Sequence, residues 1–100
     1  MDKFGLSQKN IEKIFKILKK YPNILEVKIF GSRALGNYKK NSDIDLVLFG
    51  DFSTNEFNQI SLDLKEVNTP YLIDVLNYQE ITHTNLKKHI REKGITFYKK

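Results

Sequence analysis

The sequence predicts a single α/β (α+β) domain in which a small β-sheet is covered by helices. Two observations support this fold class. Apolar residues alternate along the chain between the spacing of amphipathic helices and the spacing of strands. A chain of 100 residues, of which 40% are hydrophobic, can bury one core and is too short for two. Residues 1–100 are therefore expected to form one domain.

The first half of the chain predicts one helix followed by two strands. Apolar residues at helical spacing predict a helix from Ser7 to about Lys20, which Pro22 ends because proline cannot continue the hydrogen-bond ladder. Alternating apolar and polar residues predict a first strand at Ile24–Phe30. A short helical turn is expected at Arg33–Leu35. A nearly continuous apolar run then predicts a second strand, buried on both faces, at Asp43–Phe49.

The second half of the chain predicts two further helices around a third strand. A helix is expected from Ser53 or Thr54 to about Val67, followed by a strand at Tyr71–Leu76. A basic helix at Thr84–Lys93 and a short extended segment at Ile95–Tyr98 complete the pattern. The link between the first two strands is too long for a tight hairpin, so the pattern leaves the strand directions open.

Composition limits the classes of protein to which the chain can belong. The sequence has no cysteine, which excludes a disulfide framework and a thiolate metal site. No apolar run approaches the roughly 18–20 residues that span a bilayer, and residues 1–5 form no apolar signal core. We therefore expect a cytoplasmic protein with no membrane partner.

The formal net charge of +5 is concentrated in lysine-rich segments at residues 1–24 and 84–100. Such segments can attract nucleotides, nucleic acid or an acidic partner. They are also typical of solvated helix faces, and this second interpretation is the one we favour for each segment.

The stretch from Gly31 to Asp45 has the clearest chemical interpretation. Gly31-Ser32 follows the first strand, and Asp43-Ile44-Asp45 opens the second strand after ten intervening residues. Because side chains alternate along a strand, Asp43 and Asp45 are expected to point to the same face. Adjacent carboxylates repel each other unless a cation lies between them, and Mg²⁺ binds carboxylates together with substrate phosphates. The two aspartates therefore form a candidate magnesium site.

Asp74 is the candidate for a third carboxylate at this site. It lies in an otherwise apolar strand, where a charge is costly unless it is paired or bound to metal. If the second and third strands are neighbours, Asp43, Asp45 and Asp74 could hold two Mg²⁺ ions for nucleotidyl transfer, with Asp74 as the general base. The alternative is an ion pair between Asp74 and Lys28 or Arg33.

The segment Gly31-Ser32-Arg33 is the candidate phosphate site. Gly31 lets a phosphate approach the backbone, Ser32 adds a hydroxyl and an N–H group, and Arg33 can pair with a phosphate. A Gly-Ser pair alone is most often an ordinary turn. The combination with the aspartate pair at this spacing, between two apolar strands, is much more specific.

These residues resemble a known motif. Gly31-Ser32, Asp43-Ile44-Asp45 and the later Asp74 look like the motif of the polymerase-β-like nucleotidyltransferase superfamily, and residues from about 7 to 98 are similar to its minimal nucleotidyltransferases. The resemblance implies a mixed sheet flanked by helices. It also implies magnesium-dependent transfer of a nucleoside monophosphate, with ATP as the expected donor, to a hydroxyl group.

The resemblance further implies a partner protein. Many minimal nucleotidyltransferases are encoded beside a small helical HEPN-type protein. In one branch the nucleotidyltransferase is the antitoxin, and it attaches AMP to a tyrosine of the HEPN toxin. The expected assembly is therefore a hetero-oligomer with a HEPN-type protein. This chain has Leu35 where many antitoxin members carry a second arginine.

Two other functions stay open from the sequence. The chain could be a binding module that neutralises or scaffolds a HEPN partner without catalysis. It could also be a basic nucleic-acid-binding protein, but that function is the least favoured because it leaves Asp74 in an apolar strand unexplained. His83 and His89 lie outside the motif and are expected at the surface or in structural hydrogen bonds.

Overall fold

Strands and helices follow one another in the order that the sequence predicts. In this computed structural model, which describes residues 3–100, the elements are α1 Gln8–Leu18, β1 Ile24–Phe30, α2 Ser32–Leu35, β2 Ile44–Gly50, α3 Thr54–Lys65, β3 Ile73–Asn77, α4 Thr84–Lys93 and β4 Ile95–Lys99. A turn of 3-10 helix at Tyr78–Glu80 lies between β3 and α4. No helix within residues 3–100 has the length and apolar character needed to cross a membrane.

The four strands form one mixed sheet in the order β3-β2-β1-β4. β1 pairs antiparallel with both β2 and β4, whereas β2 pairs parallel with β3. The parallel pairing requires a crossover connection, which α3 supplies between β2 and β3. These pairings settle the strand directions that the sequence left open, and they confirm the predicted α+β class with a mixed sheet.

Strand β2 is central, as its apolar run predicts. Leu46, Val47 and Leu48 are all fully buried, so both faces of this strand are covered. Leu46 and Leu48 belong to the main core, in which α1 and α3 pack against one face of the sheet. By alternation, Asp45 and Val47 point to the opposite face. The two faces therefore have different roles, one for the core and one that includes the candidate site.

Side-chain caps define where the two long helices begin. The Ser7 hydroxyl accepts a hydrogen bond from the N–H of Asn10 at 3.2 Å, and the Ser53 hydroxyl accepts one from the N–H of Glu56 at 3.1 Å. Both helices end two residues earlier than the sequence predicts. In each case i to i−3 hydrogen bonds tighten the chain after the last helical residue, as where Lys20 N–H donates to the Ile17 carbonyl.

A tyrosine–carboxylate hydrogen bond joins the end of α1 to α3. The Tyr21 hydroxyl donates to the Asp63 carboxylate. This hydrogen bond, with burial and the negative charges of Asp63 and Glu56, raises the pKa of Tyr21 to about 12. The folded protein therefore keeps the phenolic proton at a pH where an unfolded tyrosine, with its ordinary pKa of about 10, has lost it.

We predict that Tyr21→Phe lowers the free energy of unfolding by about 1–2 kcal/mol at pH values below about 9. The stabilisation by the Tyr21 proton is complete below the unfolded pKa of about 10 and is lost as the pH rises toward the folded value. The difference between the two proteins should therefore shrink between about pH 10 and pH 12. Urea unfolding at several pH values measures this difference in the free energy of unfolding, with Tyr98→Phe as the control. A difference that stays constant over this range would contradict the assignment.

Candidate functional site

The turn after β1 brings its backbone against Asp45. Gly31 has φ +74° and ψ −153°, a conformation that is essentially restricted to glycine. A Cβ atom at Gly31 would lie 2.6 Å from Oδ2 of Asp45. This close approach arises because Phe30, the last residue of β1, is the cross-strand partner of Asp45. Only a glycine lets the turn reach the carboxylate in this way.

The short helix α2 follows this turn directly. It begins at Ser32, one residue earlier than predicted, and Gly36 ends it in the left-handed conformation with φ +86°. The amide groups at the start of a helix have no partner within the helix. The start of α2 therefore has backbone N–H groups without a helical partner, and it directly follows Gly31, which packs on Asp45.

The sheet register brings Asp45 and Asp74 together. Asp45 of β2 lies opposite Asp74 of the parallel strand β3, so both side chains point to the same face. Asp43 precedes β2 by one residue and lies two residues before Asp45. The three carboxylates that the sequence singles out are thus placed at one end of one face of the sheet.

The charges of these residues interact. Partial burial raises the pKa of Asp45, and the negative charges of Asp74 and Asp43 raise it further, while the Arg33 cation acts in the opposite direction. Both Asp43 and Asp74 are exposed to solvent. The cluster therefore carries a repulsion that a bound cation would relieve.

The exposure of Asp74 corrects the argument by which the sequence identified it. We expected a costly buried charge, but β3 is an edge strand, and Leu72, two residues earlier, is 71% exposed. Asp74 is distinguished by its register opposite Asp45 and not by burial. The alternative partners also lie elsewhere, since Lys28 Nζ lies 5.6 Å from the centre of the Phe49 ring and Arg33 donates to backbone carbonyls.

Arg33 is buried, contrary to the expectation that its side chain is available to pair with a phosphate. Its side chain is only 2% exposed, and its guanidinium donates hydrogen bonds to the carbonyl oxygens of Ser42 and Phe4. The guanidinium thus binds the loop that leads to Asp43. Sequence reasoning missed this role because nothing in the spacing of the motif links Arg33 to Phe4 or Ser42.

The carboxylates fit a divalent cation by their chemistry, although they do not form a closed cage. Within residues 3–100, no group of three or more acidic, histidine or cysteine side chains is positioned to hold a metal ion as it stands. Two observations nevertheless fit an oxygen-binding cation such as Mg²⁺. The donor oxygens of Asp45 lie among like charges, and Gly31 leaves the space beside Oδ2 free of a side chain.

The two histidines lie outside the site. His83 precedes α4, and its Nδ1 atom accepts a hydrogen bond from the N–H of Leu86 at 3.2 Å, which caps the helix. This is the structural hydrogen bond that the sequence led us to expect.

Comparison with known proteins identifies a family and a fold. A profile of the family described as polymerase beta, nucleotidyltransferase matches residues 12–100. The fold is similar to a crystal structure of a toxin–antitoxin with AMP-PNP, with a TM-score of 0.72, 21% identity, and coverage of 91% of this chain and 74% of that chain. No curated protein matches the chain significantly by sequence.

Two further solved structures share the fold. One is a tri-AMPylated Shewanella oneidensis HEPN toxin in complex with MNT antitoxin, with a TM-score of 0.67, 19% identity, and coverage of 93% of this chain and 72% of that chain. The other is described as a nucleotidyltransferase from Sulfolobus solfataricus, with a TM-score of 0.59, 23% identity, and coverage of 90% and 77%. At these identities the likeness concerns the fold.

We predict that Asp74→Asn lowers the pKa of Asp45. The substitution removes the negative charge that, after burial, does most to raise that pKa. A carboxyl-carbon NMR titration of Asp45 in metal-free buffer measures the change, with Asp51→Asn in the loop after β2 as the control. An Asp45 pKa that is the same in both variants would show that Asp74 does not act on Asp45.

We also predict that Gly31→Ala destabilises the protein more than Gly36→Ala does. Both glycines have positive φ. An alanine at Gly36 costs about 1–2 kcal/mol in the left-handed region, whereas Gly31, with ψ −153°, lies in a region nearly restricted to glycine, where an alanine costs about 1–3 kcal/mol. Only the alanine at Gly31 also meets Oδ2 of Asp45, whereas a Cβ atom at Gly36 has no heavy atom within 4 Å. Thermal unfolding of the two variants measures the difference, and equal losses would contradict the close packing of Gly31 on Asp45.

Proposed function

The chain belongs to the polymerase beta, nucleotidyltransferase family, and we propose that it transfers a nucleoside monophosphate from a nucleoside triphosphate to a hydroxyl group, releasing pyrophosphate. The observation that carries this proposal is the pairing of Asp45 with Asp74 on one face of the sheet, beside the turn at Gly31. This arrangement supports the proposal because the groups that would hold a triphosphate lie next to a carboxylate that would accept a proton.

Asp43, Asp45 and Asp74 are the residues that would hold magnesium. When bound, Mg²⁺ neutralises charge on the triphosphate and on the transition state of the transfer. The turn after β1 would hold the phosphates: the backbone at Gly31 permits close approach, and Ser32 offers its hydroxyl and N–H group. We assign Arg33 no phosphate contact, because its side chain is buried and three of its N–H groups donate to carbonyl oxygens.

Asp74 is the best candidate for the general base. It is exposed on the edge strand β3, where an acceptor hydroxyl carried by another molecule can approach. Its carboxylate would take the proton from that hydroxyl as the hydroxyl oxygen forms its bond to the α-phosphorus and pyrophosphate leaves. Asp45 is half-buried and packed against Gly31, so it is less suited to meet an incoming acceptor.

For the substrates, we propose ATP as the donor and a tyrosine of a HEPN-type protein as the acceptor. Proteins of the same fold support this choice, since one solved structure is a toxin–antitoxin with AMP-PNP and another contains an AMPylated HEPN toxin with its MNT antitoxin. The chain would then be the antitoxin of such a pair and would form a hetero-oligomer with its target.

Label transfer from α-labelled ATP tests this function. With Mg²⁺ and a HEPN-type protein encoded beside this chain, the wild-type protein should label the partner, and chelation of the metal should abolish the transfer. We predict that Asp43→Asn and Asp74→Asn each reduce the transfer at least about a hundredfold, because each removes a donor oxygen anion from the site. Asp51→Asn is the matched control and should retain wild-type transfer.

Two outcomes would contradict the proposal. Equal labelling by wild type and Asp43→Asn would show that these carboxylates do not carry the reaction. Toxin control that survives Asp43→Ala and Asp45→Ala together, without any labelling, would instead favour the binding module that neutralises its partner by complex formation.

A further inference from the structure

Arg33 is the one charged side chain among residues 3–100 that is buried. It is 2% exposed, and the only other buried polar side chain in this range is Asn77. A buried cation is costly unless its donors are satisfied by good hydrogen bonds. The partners of Arg33 therefore indicate what the fold gains by burying it.

The guanidinium makes three hydrogen bonds to two backbone carbonyls. Nε and Nη2 both donate to the Ser42 oxygen, at 3.1 Å and 2.7 Å, and Nη1 donates to the Phe4 oxygen at 2.9 Å. Because the guanidinium is planar and rigid, these bonds fix the two carbonyls relative to each other. The carbonyl held by two donors is the one directly before Asp43.

Two aromatic rings pack on the same guanidinium. Its carbon atom lies 4.5 Å from the centre of the Tyr71 ring and 5.3 Å from the centre of the Tyr38 ring. Tyr38 belongs to the loop between α2 and Asp43, and Tyr71 lies three residues before Asp74. Arg33 thus joins the segments that lead into both exposed carboxylates.

The start of the β2–β3 ladder is close to these contacts. The N–H of Ile44, the residue after Asp43, donates to the Leu72 carbonyl at 2.8 Å. Ser42 lies two residues before Ile44 in the chain, and Tyr71 lies one residue before Leu72. Arg33 contacts both Ser42 and Tyr71. The position of the Asp43 backbone is therefore set by its neighbours Ser42 and Ile44.

The N-terminal turn is shaped to present a carbonyl to Arg33. Lys3 and Leu6 form a two-way hydrogen-bonded bridge, with Phe4 at φ +57° and Gly5 at φ +72°. A positive φ is uncommon for a phenylalanine, and it persists where surrounding contacts require it. A Cβ atom at Gly5 would collide with the Tyr38 ring and lie 3.0 Å from Nη1 of Arg33.

We propose that Arg33 is a positioning residue that sets the direction of the Asp43 carboxylate by holding the Ser42 carbonyl with two donors. It acts through this loop and does not contact the nucleotide. The inference rests on the proposed nucleotidyl transfer for its catalytic consequence, whereas the fixing of the loop can be measured without any substrate.

Arg33→Lys is the central test. Lysine keeps the charge but has no planar fork, so it cannot hold both carbonyls and pack between two rings. We predict that kcat for nucleotide transfer falls about tenfold to a hundredfold, because small displacements of catalytic groups have effects of this size. The KM for ATP should change by less than about twofold. Arg91→Lys on the exposed face of α4 is the matched control and should behave as wild type.

Hydrogen exchange of the backbone amides provides the second measurement. In Arg33→Lys, the amides of residues 39–44 should exchange at least about tenfold faster than in wild type, while those of α3 keep their protection. Gly5→Ala keeps the arginine but places a methyl group against the Tyr38 ring and Nη1 of Arg33, so it should disturb the contacts of Arg33 and accelerate exchange in the same segment. This variant also decides the question if Arg33→Lys does not fold.

The outcomes separate this inference from the proposed function. A fall in kcat together with faster exchange at residues 39–44 supports the positioning role. Wild-type kcat in Arg33→Lys, a rise in KM alone, or a fall in kcat with unchanged exchange would overturn it. If the wild-type protein transfers no nucleotide, the proposed function fails, and the exchange result alone decides whether Arg33 fixes the loop.

Discussion

The pairing of Asp45 with Asp74 is the constraint around which the site is built. Two carboxylates lie side by side on neighbouring strands, where like charges are normally destabilising. Burial, and after it the negative charge of Asp74, raises the pKa of Asp45, so part of that shift reflects this cost. A fold selected for stability alone would place a neutral or positive residue at one of these positions. The retained repulsion fits a site that binds a cation together with a polyanionic substrate.

The mixed sheet is what brings the required groups to one place. Because β1 is antiparallel to β2, the end of β1 and the turn at Gly31 lie beside the start of β2. Because β3 is parallel to β2, its start lies beside the same point and presents Asp74 there. A meander of three antiparallel strands would carry the start of β3 to the far end of β2. The long crossover through α3 is therefore a requirement of the site as well as of the fold.

Local patterns in the sequence predicted the elements well, and contacts between distant segments limited the prediction of the site. Apolar periodicity located the helices and strands, and Ser7 gave the start of α1 because capping is a local effect. Pro22 predicted the end of α1 only to within two residues. Strand direction and the edge position of β3 depend on the whole sheet, so the exposure of Asp74 was not foreseen. The burial of Arg33 depends on a carbonyl 29 residues earlier in the chain, which no local pattern reveals.

The turn at Phe4 and Gly5 has a consequence for where the functional unit begins. Helix α1 starts at Gln8 behind its own cap, and similarity to the family profile begins only at residue 12. Either point would be a natural place to draw a domain boundary. A boundary at either would leave out the Phe4 carbonyl that accepts from Arg33 and the fully buried Leu6. The folded unit thus extends at least to Phe4, and the bounds of the family profile alone understate it.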